Sequence, residues 1–156
     1  MKKNYTTAQI KEKILHYCAY QERSHHDVRK KLYDYGLYSS DVEELISALI
    51  TEGFLNEERY AKTFAGGKFR IKKWGRNKIV HALEGNGISK NCIQAGLKEI
   101  DPNDYRSTLA EILQKRIDTV SEVNMFVKRD KVARYAIQKG FEPELVWEML
   151  KTLLKD

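Results

Sequence analysis

The segment best suited to binding chemistry lies in the middle of the chain, where basic and aromatic side chains mingle between Lys68 and Lys78. Lysine and arginine neutralise phosphate groups, and an aromatic ring can stack on an unpaired base or wedge between bases. The alternative is a solvated helix face with Trp74 as a core anchor at a turn. Because the cations cluster where two helices should meet, we favour binding. The predicted contacts in this segment are Arg70, Lys72, Lys73, Trp74, Arg76 and Lys78.

A second basic set surrounds Val132, a position that the repeat described below places in the core. An ordinary polar helix face explains this set about as well as a binding surface does. Its predicted contacts are Lys128, Arg129 and Arg134. We expect that reversing the charge of three residues of the first set together weakens binding and leaves helicity and melting unchanged; the three are Lys72, Lys73 and Arg76.

Patterns typical of catalysis or metal binding are not found. A phosphate loop around Gly66-Gly67-Lys68 would need glycine where Lys62 stands and serine or threonine where Phe69 stands. The two cysteines and four histidines have no structural-zinc spacing. A catalytic triad is defined by geometry and could escape a sequence pattern. We therefore predict no catalytic residue, no metal site and no cofactor, and treat an enzyme as the minor alternative.

The elements that position the basic residues form a repeat around Gly36, Gly87 and Gly140, which stand 51 and 53 residues apart. Apolar residues occupy the same offsets from each glycine without a gap. They are Val28, Leu32, Leu37, Val42, Ile46 and Leu49; Ile79, Leu83, Ile88, Ile93, Leu97 and Ile100; and Val132, Ala136, Phe141, Val146, Leu150 and Leu153. A fixed period of this size is typical of stacked supersecondary units.

Each repeat is predicted to contain three helices, the second ending at its glycine. The offsets before and after the glycine follow helical spacing, and no segment alternates apolar and polar residues over the length of a strand. The fold class is therefore all-α: three tandem three-helix repeats in an elongated, curved array. The predicted repeat boundaries are 1–52, 53–101 and 102–156.

Helix starts can be placed from capping residues. The predicted caps are Thr6 with Gln9, Ser40 with Glu43, Asn56, Ser89, Asp101 before Pro102, and Pro143 in a first turn. Two features break the symmetry of the copies. Gly66-Gly67 should kink, fray or break the first helix of the middle repeat, and the connection from Thr119 to Met125 is longer than its counterparts.

The net charge of +6 is unevenly distributed along the chain. Seven bases against one acid stand between Lys68 and Lys90, whereas Ser40 to Glu58 holds six acids and no base. This pattern suits a polyanionic or charge-patterned partner. The polar start, Met1 to Asn4, has no signal-peptide pattern, no run is apolar enough for a membrane span, and Cys18 should be a buried thiol. We expect a cytoplasmic protein without a membrane partner.

Several segments in order resemble the bacterial regulatory protein RecX family. The strongest is Gly53-Phe54-Leu55-Asn56-Glu57-Glu58-Arg59-Tyr60-Ala61, followed by Lys73-Trp74-Gly75 and by Ile79 to Ile88. Arg23-Ser24 before Asp27-Val28 is similar to the family's start of the first repeat. The resemblance covers about Gln21 to Leu154, and departs from the family at Asn56, Asp27 and Gly66-Gly67.

The resemblance implies three three-helix repeats and a non-enzymatic function. Members of the family bind the RecA filament on single-stranded DNA and mainly inhibit its strand exchange and ATPase, and several also bind single- or double-stranded DNA directly. We therefore expect a RecX-like modulator of RecA in recombination and DNA repair that acts as a monomer. The alternatives are a helical DNA-binding protein without RecA specificity, whose affinity would fall steeply with salt, and a scaffold for another protein.

Overall fold

The computed structural model describes residues 5–155; the polar start Met1–Asn4 and the terminal Asp156 lie outside the described residues. Within that range the chain is all-α, with nine α-helices, one π-helix and no strand. The helices are α1 Thr7–Tyr20, α2 His25–Asp34, α3 Ser39–Thr51, α4 Glu57–Gly67, the π-helix Lys68–Lys72, α5 Arg76–Gly85, α6 Lys90–Leu97, α7 Pro102–Thr119, α8 Met125–Gln138 and α9 Pro143–Leu153. The prediction of three helices per repeat is confirmed, and the boundaries after residues 52 and 101 stay predictions.

The three glycines that define the repeat end α2, α5 and α8 in the same way. Gly36, Gly87 and Gly140 have φ of 98°, 72° and 103°, in the left-handed region that a side chain disfavours. The amide of the following residue donates to the carbonyl five residues earlier, at 3.2, 3.1 and 3.2 Å. This bond is half of the Schellman motif, which satisfies carbonyls at a helix end. The glycine spacing thus repeats a local structure, as the sequence predicts.

Most of the predicted caps are present. Thr6 and Gln9 form a capping box at α1, and the side chains of Asn56, Ser89 and Asp101 accept backbone amides at α4, α6 and α7. Pro143 occupies the first turn of α9, where no amide hydrogen is needed. The loop between Thr119 and Met125 also lies where predicted.

One local prediction was wrong, and the disruption predicted at Gly66-Gly67 is right only in that the regular α-helix ends there. Helix α3 begins at Ser39 behind Tyr38 and has no side-chain cap, so Ser40 and Glu43 form no capping box; Glu43 instead accepts two hydrogen bonds from Arg29, at 2.8 and 2.9 Å. At Gly66-Gly67 the helix neither breaks nor frays: α4 runs through Gly67 directly into the π-helix. Gly66 is buried, and a Cβ there would lie 2.7 Å from a guanidinium nitrogen of Arg70.

The buried side chains form two cores. Repeat 1 encloses its own, from Ile10 to Leu49, to which Leu55 from the start of repeat 2 is added, with Cys18 inside it as predicted. The second core runs without interruption from Tyr60 to Leu154 and so joins repeats 2 and 3. The accessible surface is 9983 Å², against about 8,100 Å² for a compact monomer of this mass. The excess fits the elongated array. No helix within 5–155 is long and apolar enough to cross a membrane.

Repeats 2 and 3 are joined through backbone. The amide of Gly75 donates to the carbonyl of Lys139 at 2.8 Å, and the amide of Asn77 donates to Gly140 at 2.9 Å. A Cβ on Gly75 would overlap the backbone of Gly140 and Phe141, so only glycine permits this approach. The segment that follows the π-helix is therefore fixed against the third repeat.

A buried polar network reinforces the same junction. The hydroxyl of Tyr105, a fully buried residue, donates to Glu142 and accepts the amide hydrogen of Arg76 at 2.9 Å. The Arg76 guanidinium lies 3.9 Å from the centre of the Tyr105 ring and 2.8 Å from Glu142. Each of these three side chains contacts the other two, which favours a single geometry between the repeats.

The contact between repeats 1 and 2 is more polar. Arg59 of α4 donates to Glu22, in the loop after α1, at 2.7 Å and to the carbonyl of Gly53 at 3.0 Å. The Arg59 side chain is 45% exposed, so this ion pair contributes about 1 kcal/mol or less. Repeat 1 is therefore held to the rest of the molecule by weaker forces than those joining repeats 2 and 3.

Candidate nucleic-acid interface

The basic segment of the middle repeat is carried by the π-helix. Within Lys68–Lys72 the chain makes a wider turn than an α-helix, and it follows α4 without interruption. Single π-turns of this kind are rare and often occur at functional sites. Phe69 anchors the turn: its ring is 7% exposed and packs 5.7 Å from that of Tyr105. With Phe69 inward, the neighbouring Arg70, Ile71 and Lys72 are exposed.

Lys73 ends the π-helix in the left-handed conformation, with φ 55° and ψ 43°. Among the described residues it is the only one with positive φ that is not glycine. This conformation costs a lysine about 1–2 kcal/mol. It is held by the Lys73 amide bonded to Phe69 at 3.0 Å and the Trp74 amide bonded to Lys68 at 3.2 Å. The exposed Lys73 thus occupies a position at which glycine would be less strained.

We call the surface of this turn the basic ridge; it comprises the half-buried Lys68 and the exposed Arg70, Ile71, Lys72 and Lys73. Trp74 does not project from it. The indole is half-buried, with its ring 6.4 Å from that of Phe64 and with the ammonium groups of Lys68 and Lys78 at 4.9 and 4.6 Å from its centroid. Its role as a contact stays a prediction. The apolar side chain that does project is Ile71, which is 78% exposed and which sequence reasoning missed.

A groove of about 310 Å³ lies between the basic ridge and repeat 3, and we call it the basic groove. It is lined by Lys73, Ile112, Lys115, Arg116, Thr119, Tyr135 and Lys139. Four of these side chains are cations and none is a carboxylate. The Arg116 guanidinium lies 4.4 Å from the centroid of the Tyr135 ring, and the Lys139 ammonium lies 5.9 Å from it. Stacked arginine and clustered ammonium groups suit phosphates beside a planar base.

Three cations of the basic groove are absent from the predicted set: Lys115, Arg116 and Lys139. The sequence did carry a signal for all three. Lys115 and Arg116 stand in the last turns of α7 just before buried Ile117, so they must flank a core position. Lys139 was visible as part of the basic stretch of repeat 3. What no pattern could supply is that the end of α7, the end of α8 and Lys73 meet at one place.

The other predicted contacts lie outside this groove or have partners within the chain. Arg76 is engaged with Glu142 and Tyr105, as described above. Arg129 donates to the carbonyl of Leu154 at 3.0 Å. Arg134 pairs with Asp130 at 2.9 Å, although its side chain is 75% exposed. Lys128, Arg129 and Arg134 share α8 with Tyr135, and Lys139 is the C-cap of the same helix, but none of the three lines the basic groove. Their contact roles stay predictions.

Comparison with known proteins gives concordant results. A family model described as RecX, second three-helix domain, matches residues 56–97, from the cap of α4 to the end of α6. A regulatory protein RecX of Lactococcus lactis subsp. cremoris (strain SK11) is 28% identical over 137 residues, 86% of this chain and 51% of that protein. One from Clostridium perfringens (strain 13 / Type A) is 28% identical over 118 residues, 74% and 55% of the two chains.

The chain spans about half the length of these two curated relatives. The fold is that of the crystal structure of RecX from Lactobacillus salivarius, with a TM-score of 0.84 at 20% identity over 94% of this chain and 95% of the other. The matched helices, the glycine-centred repeat and the motifs at Gly53 and Trp74 point to the same conclusion. The chain is therefore similar to the RecX family in sequence and in fold.

Proposed function

We propose that the protein binds the RecA filament on single-stranded DNA and mainly inhibits its strand exchange and ATPase, and thereby regulates recombination and DNA repair. The observation that carries the proposal is the basic groove, which gathers four cations from two repeats in a chain similar to a family of regulatory proteins. Such a groove suits the phosphates of the single-stranded DNA on which the filament is assembled. The action we propose is binding in the cytoplasm as a monomer, without catalysis.

Electrostatics and shape support the same proposal. An elongated array presents a longer face than a compact protein of equal mass, and can therefore contact more than one protomer of a filament. Cations that lie in a groove attract phosphates more strongly than cations on a convex surface, because the low-dielectric walls focus the field. The acidic stretch from Ser40 to Glu58, in the other half of the array, would face basic surface of a partner rather than nucleic acid.

The experiment that tests the proposal is RecA's single-stranded-DNA-dependent ATP hydrolysis, with this protein titrated into a matched RecA. We expect strong loss of hydrolysis at substoichiometric ratios to RecA, because one molecule on a filament affects many protomers. An unchanged rate at all ratios, with binding-competent protein, would contradict it. The matched control is the variant Lys72→Glu, Lys73→Glu, Lys115→Glu, which changes the basic ridge and the basic groove and should inhibit less at the same helicity.

The second candidate function is DNA binding without RecA specificity. The basic groove itself favours it, because none of its described lining residues is specific for protein. This candidate predicts that hydrolysis falls only when the added protein approaches saturation of the DNA. It also predicts that affinity for any DNA decreases steeply as salt increases, with no further effect of RecA.

A further inference from the structure

The most exposed apolar side chain of the middle repeat lies among cations. Ile71 is 78% exposed, and Arg70, Lys72 and Lys73 surround it in sequence. An isoleucine here contributes nothing to either core, and the cations around it keep the surface from being an ordinary apolar patch for another protein. Proteins that bind DNA use apolar wedges such as isoleucine against base faces, next to cations on the backbone. The position of Ile71 therefore indicates contact with nucleic acid.

Ile71 also borders a pocket between repeats 1 and 2, which we call the junction pocket. Its volume is about 360 Å³, and its lining includes Tyr60, Thr63, Phe64, Gly67, Lys68, Ile71 and Lys72 from repeat 2. Repeat 1 contributes Gln21, Glu22 and Asp27. Phe64 and Tyr60 stand 5.8 Å apart as a tilted aromatic pair. A pocket of this size falls within the ~300–1,000 Å³ that small ligands need, which is ample for one base.

The charges of the junction pocket do not balance. Glu22 is paired with Arg59 at 2.7 Å, whereas Asp27 keeps its negative charge while it accepts the backbone amide of Ser24 at 3.2 Å in a capping box. Lys68 lies 5.5 Å from the centroid of the Phe64 ring, and exposed Lys72 stands on the same side. With Glu22 paired to Arg59, the two lysines outnumber the one remaining carboxylate, Asp27, and they lie beside an aromatic wall. An occupant that is flat, apolar on its faces and anionic at its edge fits this arrangement.

Lys72 and Lys73 connect the two sites. They are adjacent in the chain, yet Lys72 lines the junction pocket and Lys73 lines the basic groove. The basic ridge therefore separates the junction pocket from the basic groove. One strand of nucleic acid can cross the ridge with one phosphate on Lys72 and another on Lys73. A duplex could follow the basic groove, but its bases are paired and cannot enter a pocket. Only a single strand offers phosphates and a free base together.

We propose that the junction pocket holds one unstacked base of a single-stranded nucleic acid, with Ile71 and Phe64 against the base and Lys68 and Lys72 on its phosphates. The proposal deepens the proposed function and rests on it only in taking single-stranded DNA as the polyanion. It assigns the apolar contact to Ile71 and leaves Trp74 as a support behind the ridge.

The test compares two probes, an oligothymidylate and an abasic strand with the same number of phosphates, bound to the full chain. The wild type should prefer the strand with bases. Ile71→Ser should reduce oligothymidylate affinity by about tenfold and bring the two probes close together. The matched control is Val123→Ser, at a residue that is 99% exposed and distant in the chain from the ridge; it should change neither affinity. Both variants alter exposed side chains, so both should fold.

Salt dependence separates the base contact from the phosphate contacts. Ile71→Ser should lower affinity without changing the slope of log affinity against log salt concentration, because it removes no charge. Lys72→Gln should reduce that slope by about 0.7 for a single strand and weaken both probes equally. If Ile71→Ser changed the slope, or affected abasic and normal strands alike, the base pocket would be overturned.

Each outcome distinguishes this inference from the proposed function. Loss of base preference in Ile71→Ser, with no effect of the wild type on RecA hydrolysis, would support the pocket and contradict the proposed function. Oligothymidylate binding that Ile71→Ser leaves unchanged would overturn the pocket. If the same variant then lost its effect on RecA hydrolysis, the junction pocket would be a protein-docking site, and the proposed function would stand.

Discussion

At the scale of single residues, a left-handed backbone conformation can be predicted from the sequence at a glycine but not at a lysine. Gly36, Gly87 and Gly140 could be assigned to helix ends because glycine adopts the left-handed conformation without a steric penalty. Lys73 adopts the same conformation, and nothing in its residue type indicates it. Its backbone is imposed by Phe69 packed on one side and the bonds of Gly75 on the other. Strain of this kind at an exposed cation points to function.

The first prediction concerns that strain. Lys73→Gly should leave stability unchanged or raise it by up to about 1 kcal/mol, because the left-handed penalty is removed and the greater freedom of the unfolded chain offsets part of the gain. The same variant should bind single-stranded DNA more weakly, since the basic groove loses a cation. Urea unfolding and oligonucleotide titration measure the two effects. Lower stability would show that the lysine side chain has a structural role.

The second prediction concerns Tyr105. Burial raises the pKa of its hydroxyl above the ordinary value of 10, and the bond to Glu142 acts in the same direction. The folded state therefore keeps the proton at pH values where the unfolded state releases it. The contribution of Tyr105 to stability is complete below pH 10 and decreases as the pH rises toward the folded pKa, by about 1.4 kcal/mol per unit.

Tyr105→Phe should remove this part of the alkaline loss of stability. The slope should decrease rather than vanish, because burial also raises the pKa of Tyr17, Tyr35 and Tyr60. Below pH 10 the variant should be less stable by about 1–3 kcal/mol, since Glu142 and the Arg76 amide lose a partner. Unfolding curves on both sides of pH 10 give the slope, and an unchanged slope would mean that Tyr105 titrates normally.

At the scale of elements, helical periodicity was sufficient to place the helices but not their exact termini or kind. Asn56, Ser89 and Asp101 act as predicted because a cap is a local interaction within one turn. Ser40 does not, because α3 begins at Ser39, two residues before the start that a Ser40 cap implies, and Glu43 is drawn to Arg29 of α2. Gly66 stays within α4, and the Arg70 guanidinium lies against it. The contact between Arg29 and Glu43 joins residues that no helical pattern relates.

The third prediction replaces the charge reversal expected from the sequence. Reversing Arg76 would place two acids beside the buried Tyr105, so melting would change, contrary to the expectation for Lys72, Lys73 and Arg76. The better combination is Lys72→Glu, Lys73→Glu and Lys115→Glu, all outside that network. Single-stranded DNA affinity should fall by at least about tenfold, with circular dichroism and melting unchanged.

A control with the same change in net charge separates the basic groove from overall electrostatics. Lys11, Lys30 and Lys90 are exposed and lie away from the basic ridge and the basic groove. Reversing these three should weaken binding only slightly, through the long-range field. Equal loss in the two triple variants would mean that net charge, and not the groove, governs binding.

At the scale of the whole molecule, the repeat could be predicted from spacing, whereas the grouping of the repeats could not. The copies share one apolar signature, which suggests three equivalent neighbours. The structure instead joins repeats 2 and 3 in one core and leaves repeat 1 with its own. The difference arises from backbone bonds at Gly75 and Asn77 and from the network around Tyr105. Such contacts depend on the approach of two chain segments and leave no periodic signal.

The fourth prediction follows from this grouping. Gly75→Ala places a methyl group into the backbone of Gly140 and Phe141 and should cost about 2–4 kcal/mol through lost hydrogen bonds and displaced packing. Hydrogen exchange should then become faster at buried amides of repeats 2 and 3, such as those of Leu109 and Val146. Protection of repeat 1, at Ile14 and Leu32, should persist because its core is separate.

The matched control for this variant is Gly85→Ala, at the last residue of α5, where a Cβ meets nothing within 4 Å. Alanine is the better helix former, so this change should preserve or slightly increase protection throughout. Uniform loss of protection across all three repeats in Gly75→Ala would mean that the chain unfolds as one cooperative unit. Loss of protection in repeats 2 and 3 alone would mean that Gly75 holds these two repeats together. The basic groove is formed by both repeats and would then depend on this glycine, which lies outside the groove. Single-stranded DNA affinity should then fall in Gly75→Ala although every cation is retained.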